Sequence, residues 1–83
     1  MNRQIIIDSI KRDIASLDYG ETIETLTSKK AIAARDIFLP MIEKMDDEWL
    51  MKNWEIDIYR IAILENGEPS MMRVRRLYPE LLK

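Results

Sequence analysis

The stretch at residues 46–65, DDEWLMKNWEIDIYRIAILE, constrains the fold most, because it holds both tryptophans and the densest apolar run of the chain. Leu50, Trp54, Ile58 and Ile61 recur every three or four residues, which places them on one face of an α-helix. Further apolar side chains fall on other faces, and such a helix must be covered on more than one side. The sequence therefore predicts one central helix over this stretch, with Trp54 in the core.

The alternative for the same region is a β-hairpin. Residues 54–58 alternate between apolar and acidic side chains, and Asn66-Gly67 is a common hairpin turn. The alternation ends at Tyr59, however, and the second arm of the hairpin would have to begin at Pro69. The helix is therefore favoured, and an α+β fold with a C-terminal hairpin around Asn66-Gly67 remains the alternative.

Three more helices are predicted by the same periodicity, over residues 2–18, residues 28–45 and residues 70–78, together with a short turn at residues 21–27. Pro40 lies inside the helix predicted over residues 28–45. The apolar stripe continues across this proline, which predicts one kinked helix. Pro79 should end the last helix and begin a final turn. The predicted fold is all-α: a small single-domain helical bundle, residues 1–83, of about four helices with a short extra turn.

The composition narrows the classes of function. Hydrophobic residues make up 47% and charged residues of both signs 34%, which is typical of a folded chain. The chain has no cysteine and no histidine, so thiol chemistry is excluded and the commonest general base and metal ligand are missing. No segment resembles a signal peptide or a membrane span. We therefore expect a cytoplasmic, non-enzymatic protein without a cofactor and with no membrane partner.

Two charged clusters have a functional and a structural interpretation each. Asp46, Asp47 and Glu48 could hold a divalent cation, but they lack the spacing of a calcium loop, and carboxylates are usual at a helix start. The C-terminal residues 69–83 carry four basic side chains and one acidic one, whereas residues 43–68 carry three and eight. The basic tail could bind phosphates or an acidic protein surface, or it could pair with the acidic middle of its own chain.

Nucleic-acid binding is the alternative function. A short turn followed by a longer helix suggests a weak helix-turn-helix signal. The basic residues that would serve it are Lys29, Lys30 and Arg35, or Arg73, Arg75 and Arg76.

The favoured function is a module that binds another protein as a small adaptor, regulator or inhibitor, with a homodimer as one version of it. Tryptophan, methionine and arginine are enriched in protein interfaces, and several of these residues depart from the apolar stripes. The predicted partner-binding residues are Trp49, Met71, Met72, Arg73, Arg75 and Arg76.

Overall fold

The computed structural model describes residues 2–20 and 22–83, and within them the chain forms short α-helices around one hydrophobic core. The α-helices are α1 (Arg3–Ser16), α2 (Lys29–Ala33), α3 (Leu39–Glu43), α4 (Asp47–Lys52), α5 (Ile58–Ala62) and α6 (Met71–Leu77). A π-helical segment (Ala34–Phe38) joins α2 to α3, and a 3₁₀ turn (Pro79–Leu82) follows α6. The predicted all-α fold class is confirmed.

The first helix forms where an asparagine cap precedes a stripe of isoleucines. Asn2 Oδ1 accepts a hydrogen bond from the backbone N–H of Ile5 at 2.9 Å, which satisfies one free donor at the helix start. Ile6 and Ile14 on the inner face are fully buried. The helix predicted over residues 2–18 is confirmed, one or two residues shorter at each end.

The loop after α1 is closed by Asp18. Its carboxylate accepts the backbone N–H of Thr27 at 2.6 Å and the backbone N–H of Ser28 at 3.1 Å. Because these bonds favour the charged carboxylate, they hold the pKa of Asp18 below its ordinary value. A short turn is predicted at residues 21–27. Glu21 lies outside the described residues, and residues 22–27 contain a turn.

The second helical run crosses Pro40 without ending. Ser28 Oγ caps it by accepting the backbone N–H of Ala31 at 3.0 Å. In the π segment the backbone N–H of Leu39 donates to the carbonyl oxygen of Ala34, five residues back. Proline has no N–H and its ring crowds the preceding turn, and a wider turn relieves that crowding. The predicted continuity across Pro40 is confirmed, and the irregularity takes the form of this π segment.

The wider turn shifts every later side chain around the helix axis by about one residue. In a regular α-helix Met41, three residues after Phe38, would take the next position on the core face. In the structure Ile42 is fully buried, whereas Met41 is only partly buried. The extra residue in the turn is the physical reason for this change of register.

The stretch at residues 46–65 is not one helix, so the predicted central helix is wrong. α4 ends at Lys52, a turn follows, and α5 begins at Ile58. The backbone N–H and the side-chain amide of Asn53 donate to the carbonyl oxygen of Trp49, at 3.0 and 2.9 Å. An asparagine that binds nearby backbone in this way favours a helix end over a helix interior.

The break decides which side chains reach the core. Trp54, which the sequence places in the core, is 48% exposed. Ile56, Tyr59 and Ile63 are buried instead. A single straight helix would turn these three away from the face of Leu50, whereas two separate helices bring both sets inward. The number of helices therefore exceeds the four predicted, and the fold class is unchanged.

Asn66 and Gly67 reverse the chain between α5 and α6 without forming the alternative β-hairpin. Gly67 has a φ of 86°, a conformation that glycine adopts without strain. The backbone N–H of Leu64 donates to the carbonyl oxygen of Glu68 at 2.8 Å. The backbone N–H of Ser70 donates to the carbonyl oxygen of Ala62 at 2.6 Å, and within the described residues the pairing extends no further than the single bridge between Ile63 and Pro69.

The C-terminal segment follows its predicted pattern. Ser70 Oγ accepts the backbone N–H of Arg73 at 3.4 Å and so caps α6. Val74 and Leu81 are buried, and Pro79 begins the terminal 3₁₀ turn. Among the described residues, no helix has the length and apolar character needed to cross a bilayer.

Candidate functional site

The outward side of α6 carries most of the residues that the sequence singled out for binding. Val74 faces the core, and Met71 is partly buried against it. Met72 is 69% exposed, and Arg75 and Arg76 are exposed as well. Among the described residues, neither arginine has an ion pair or a side-chain hydrogen bond. The structure therefore leaves both guanidinium groups open to a ligand.

Arg73 has a different position from its neighbours. Its Nη1 donates a hydrogen bond to the carbonyl oxygen of Ile61, at 2.7 Å, near the end of α5. A cation at a helix C-terminus also interacts favourably with the helix dipole. The contact holds α6 beside Ile61, whose side chain is half exposed. Leu77, four residues after Arg73 on the same side of α6, is also exposed.

These side chains define what we call the α6 surface. Its members are exposed apolar or unpaired basic residues on α6 or beside it: Ile61, Met72, Arg75, Arg76 and Leu77. Sequence reasoning missed Ile61 and Leu77, because it placed Ile61 in the core stripe of a continuous helix. The break before α5 is what turns Ile61 outward.

Trp49 lies apart from the methionines with which the sequence grouped it. It is partly buried and packs edge-to-face on Tyr78, with ring centroids 6.0 Å apart and an interplanar angle of 69°. Tyr78 follows the last residue of α6, whereas Met71 and Met72 begin that helix. Seven helical residues span about 10 Å, so Trp49 and Met72 lie at opposite ends of α6. The predicted residues therefore do not form one patch.

A second exposed apolar group lies at the end of α4. Met51, in the last turn of α4, is 53% exposed, and Trp54, two residues after that helix, is 48% exposed. Glu48 and Glu55 are exposed too. We call these four residues the α4 surface. The signal that could have revealed it is Asn53, whose side chain favours a helix end inside the apolar run.

The acidic cluster at the start of α4 has structural contacts. Asp46 Oδ1 accepts the backbone N–H of Trp49 at 2.8 Å, which is the capping role expected of a carboxylate there. Asp47 Oδ1 is 2.9 Å from Arg3 Nη1, an ion pair that links α4 to α1. No group of three or more acidic side chains in residues 2–20 and 22–83 has an arrangement suited to a metal ion.

The basic residues of the nucleic-acid alternative are partly occupied by contacts within the chain. Lys29 Nζ lies 3.1 Å from Glu68 Oε1. Arg35 donates to the carbonyl oxygen of Ile23 at 3.0 Å and to the carboxylate of Asp36 at 2.7 Å. The Arg35 guanidinium holds the pKa of Asp36 below its ordinary value. Arg35 is therefore directed toward the loop before α2 rather than away from the protein.

A cleft of about 450 Å³ separates the start of α2 from α5. It is lined in part by Lys30, Tyr59, Arg60 and Ile63. The Tyr59 hydroxyl is buried and has no hydrogen-bond partner among the described residues. Burial, and then the negative charge of the nearby Asp13, raise the pKa of Tyr59 well above its ordinary value. The phenol therefore stays neutral and does not act as a base near neutral pH.

No protein-family model, curated protein or solved structure matches this chain. The α6 surface and the α4 surface both combine exposed apolar side chains with charged ones. They differ in charge: the α6 surface is basic and the α4 surface is acidic.

Proposed function

We propose that the chain is a non-enzymatic protein-binding module, a small adaptor, regulator or inhibitor, that binds through the α6 surface. The observation that supports this is the mixture of exposed apolar side chains with two unpaired arginines on one short helix and its neighbour. Methionine and arginine are enriched where proteins meet, and methionine adapts to irregular surfaces. We propose a cytoplasmic location, with which a cysteine-free chain is compatible.

The α6 surface is held in place before any partner arrives. Ser70 caps the helix, Val74 anchors it in the core, and Arg73 ties it to the carbonyl oxygen of Ile61. A surface that is already ordered loses little conformational entropy on binding. This favours recognition by the folded chain over folding upon binding.

The chemistry of the α6 surface specifies the kind of partner. The residues 69–83 carry four basic side chains and one acidic one, so a partner should be acidic at this contact. Met72 and Leu77 require apolar side chains opposite them. We therefore propose a partner segment that interleaves carboxylates with apolar residues. Its affinity should fall with salt, because the charged contacts are exposed.

Nucleic acid is the competing ligand for Arg75 and Arg76. A phosphate backbone attracts cations but makes no favourable contact with exposed apolar side chains such as Met72 and Leu77. In the other basic group, Lys29, Lys30 and Arg35, Lys29 pairs with Glu68 and Arg35 donates to the carbonyl oxygen of Ile23. These two side chains are therefore already engaged within the chain. An electrophoretic mobility assay across salt tests this directly. If the chain retards DNA or RNA and the retardation falls steeply with salt, nucleic-acid binding is favoured and the protein-binding proposal is contradicted.

Affinity capture from the native host tests the proposed function. The bait is the full chain, the chain with Met72→Ser and Leu77→Ser, or a control with Ile5→Ser, which removes a half-exposed isoleucine from α1. We expect a host protein that the unaltered chain and the control retain and that the double variant loses. Circular dichroism confirms that all three fold. A set of captured proteins identical for the three baits contradicts binding through the α6 surface.

A further inference from the structure

We propose that the partner of the α6 surface is the α4 surface of a second copy of this chain. The inference rests on the proposed function and names the partner that the same site would bind. The two contacts are reciprocal, since each copy offers both surfaces. The product is a homodimer in which the α6 surface of each copy meets the α4 surface of the other.

The α4 surface has the chemistry that the α6 surface requires. Met51 and Trp54 present about half of their area to solvent, and Glu48 and Glu55 flank them. Residues 46–57 carry five acidic side chains and one basic one. Tryptophan is the residue type most often found as an energetic anchor in interfaces. Each surface therefore combines two or three exposed apolar side chains with charges mainly of one sign, and Lys52 is the exception beside the α4 surface.

The charges on both surfaces are available to a second copy. Within residues 2–20 and 22–83 the ion pairs join Arg3 to Asp47, Lys29 to Glu68, Arg35 to Asp36 and Arg60 to Asp57. The carboxylates of Glu48 and Glu55 and the guanidinium groups of Arg75 and Arg76 take part in none of them. The basic tail therefore does not neutralise the acidic middle of its own chain through these four groups.

The position of the two surfaces suits a closed pair. The contact between the rings of Trp49 and Tyr78 brings α4 beside the C-terminal end of α6. The C-terminal members of the α6 surface, Arg76 and Leu77, thus lie close to α4 at this junction. A twofold axis near that junction would place each surface opposite its complement, so that two equal contacts form and no surface is left open.

Charge exchange between the two surfaces tests the inference. One variant carries Arg75→Glu and Arg76→Glu, which makes both surfaces acidic. The other carries Glu48→Lys and Glu55→Lys, which makes both surfaces basic. Sedimentation equilibrium of the full chain over a range of concentration and salt measures the dimer dissociation constant. A control with Lys11→Glu and Arg12→Glu on α1 changes the net charge by the same amount as the first variant.

We expect a dimer for the unaltered chain and the control, and a dissociation constant raised about tenfold or more for each charge variant, because like charges then face each other. An equimolar mixture of the two variants should dimerise again, because both contacts are complementary in the mixed pair. Circular dichroism verifies that each variant folds. A further variant with Met51→Ser and Trp54→Ser alters no charge and should also weaken the dimer.

Three results overturn the inference: an unaltered chain that stays monomeric at all concentrations, charge variants that dimerise as well as the unaltered chain, or a mixture that remains monomeric. None of them removes the proposed function, because the capture experiment with Met72→Ser and Leu77→Ser tests the α6 surface against other proteins. If that experiment also shows no dependence on the α6 surface, the proposed function fails together with the inference.

Discussion

Gly67 lies so close to Lys29 that a Cβ atom at position 67 would fall 2.6 Å from Lys29 Cγ. The same glycine has a φ of 86°, in the region that other residues rarely adopt. Two independent constraints therefore require glycine at the reversal between α5 and α6. The reversal that leads into α6 therefore passes close to the side chain of Lys29 at the start of α2.

Replacement of Gly67 by alanine should therefore destabilise the fold. We expect Gly67→Ala to lower the free energy of unfolding by about 1–3 kcal/mol, through backbone strain and displacement of the Lys29 stem. Urea unfolding followed by circular dichroism measures it. Gly20→Ala is the matched control, because the nearest atom to a Cβ there is 3.7 Å away. Equal losses in the two variants would contradict this account of Gly67.

The break between α4 and α5 predicts an unusual order of sensitivity to alanine. Leu50 is fully buried, so Leu50→Ala should lower the free energy of unfolding by about 2–5 kcal/mol. Trp54 is larger but half exposed, so Trp54→Ala should cost about 1 kcal/mol or less. Urea unfolding of both variants decides the order. A continuous buried helix over residues 46–65 would give the reverse order, with Trp54→Ala the more damaging change.

Asp18 should make stability depend on pH in the acid range. Its pKa is lowered in the folded chain, so its contribution is complete above the unfolded-state value near 3.8 and is lost as pH falls through the lower folded-state value. Asp18→Asn should be less stable than the unaltered chain at neutral pH, and the difference should shrink in strong acid. Urea unfolding midpoints between neutral and strongly acidic pH measure this. A difference that is constant with pH would contradict the role of the charge. Asp8→Asn, on α1, provides the control.

Tyr59 should affect stability in alkaline solution. Its folded-state pKa is raised, so its contribution is complete below the ordinary value near 10.0 and is lost as pH rises beyond it. Tyr59→Phe removes a buried hydroxyl that has no hydrogen-bond partner in residues 2–20 and 22–83, so at neutral pH we expect stability to be unchanged or raised by about 1 kcal/mol. The variant should lose less stability than the unaltered chain above that pH. Thermal melts of both proteins at neutral and alkaline pH make the comparison. A clear loss of stability of Tyr59→Phe at neutral pH would show that the hydroxyl has a partner.

Local chemistry in the sequence was enough to predict the helix starts and the fold class. Asn2, Ser28, Asp46 and Ser70 each accept a backbone N–H at the beginning of a helix, and this depends only on neighbouring residues. The break at Asn53 could not be predicted in the same way. It is decided by the burial of Ile56, Tyr59 and Ile63 against other helices, which periodicity within one segment does not reveal.

For the candidate surfaces, too, some exposures follow from the local sequence and others from packing between helices. Met72, Arg75 and Arg76 are exposed, as their positions off the apolar stripe of α6 predict. Trp54 and Ile61 were missed because their exposure follows from the break and not from local pattern. Trp49 and Met72, both predicted to bind a partner, lie at opposite ends of α6, because Trp49 packs on Tyr78.

The π segment at Ala34–Phe38 contains one residue more than a regular helical path between the same two ends would need. Deletion of a single residue elsewhere in a helix rotates everything that follows by about 100° and moves an apolar face out of the core. Here, together with Pro40→Ala, the loss of one residue would restore regular spacing and leave the flanking faces aligned. We therefore expect this helix to tolerate the loss of one residue in the π segment that its regular α-helical turns would not tolerate.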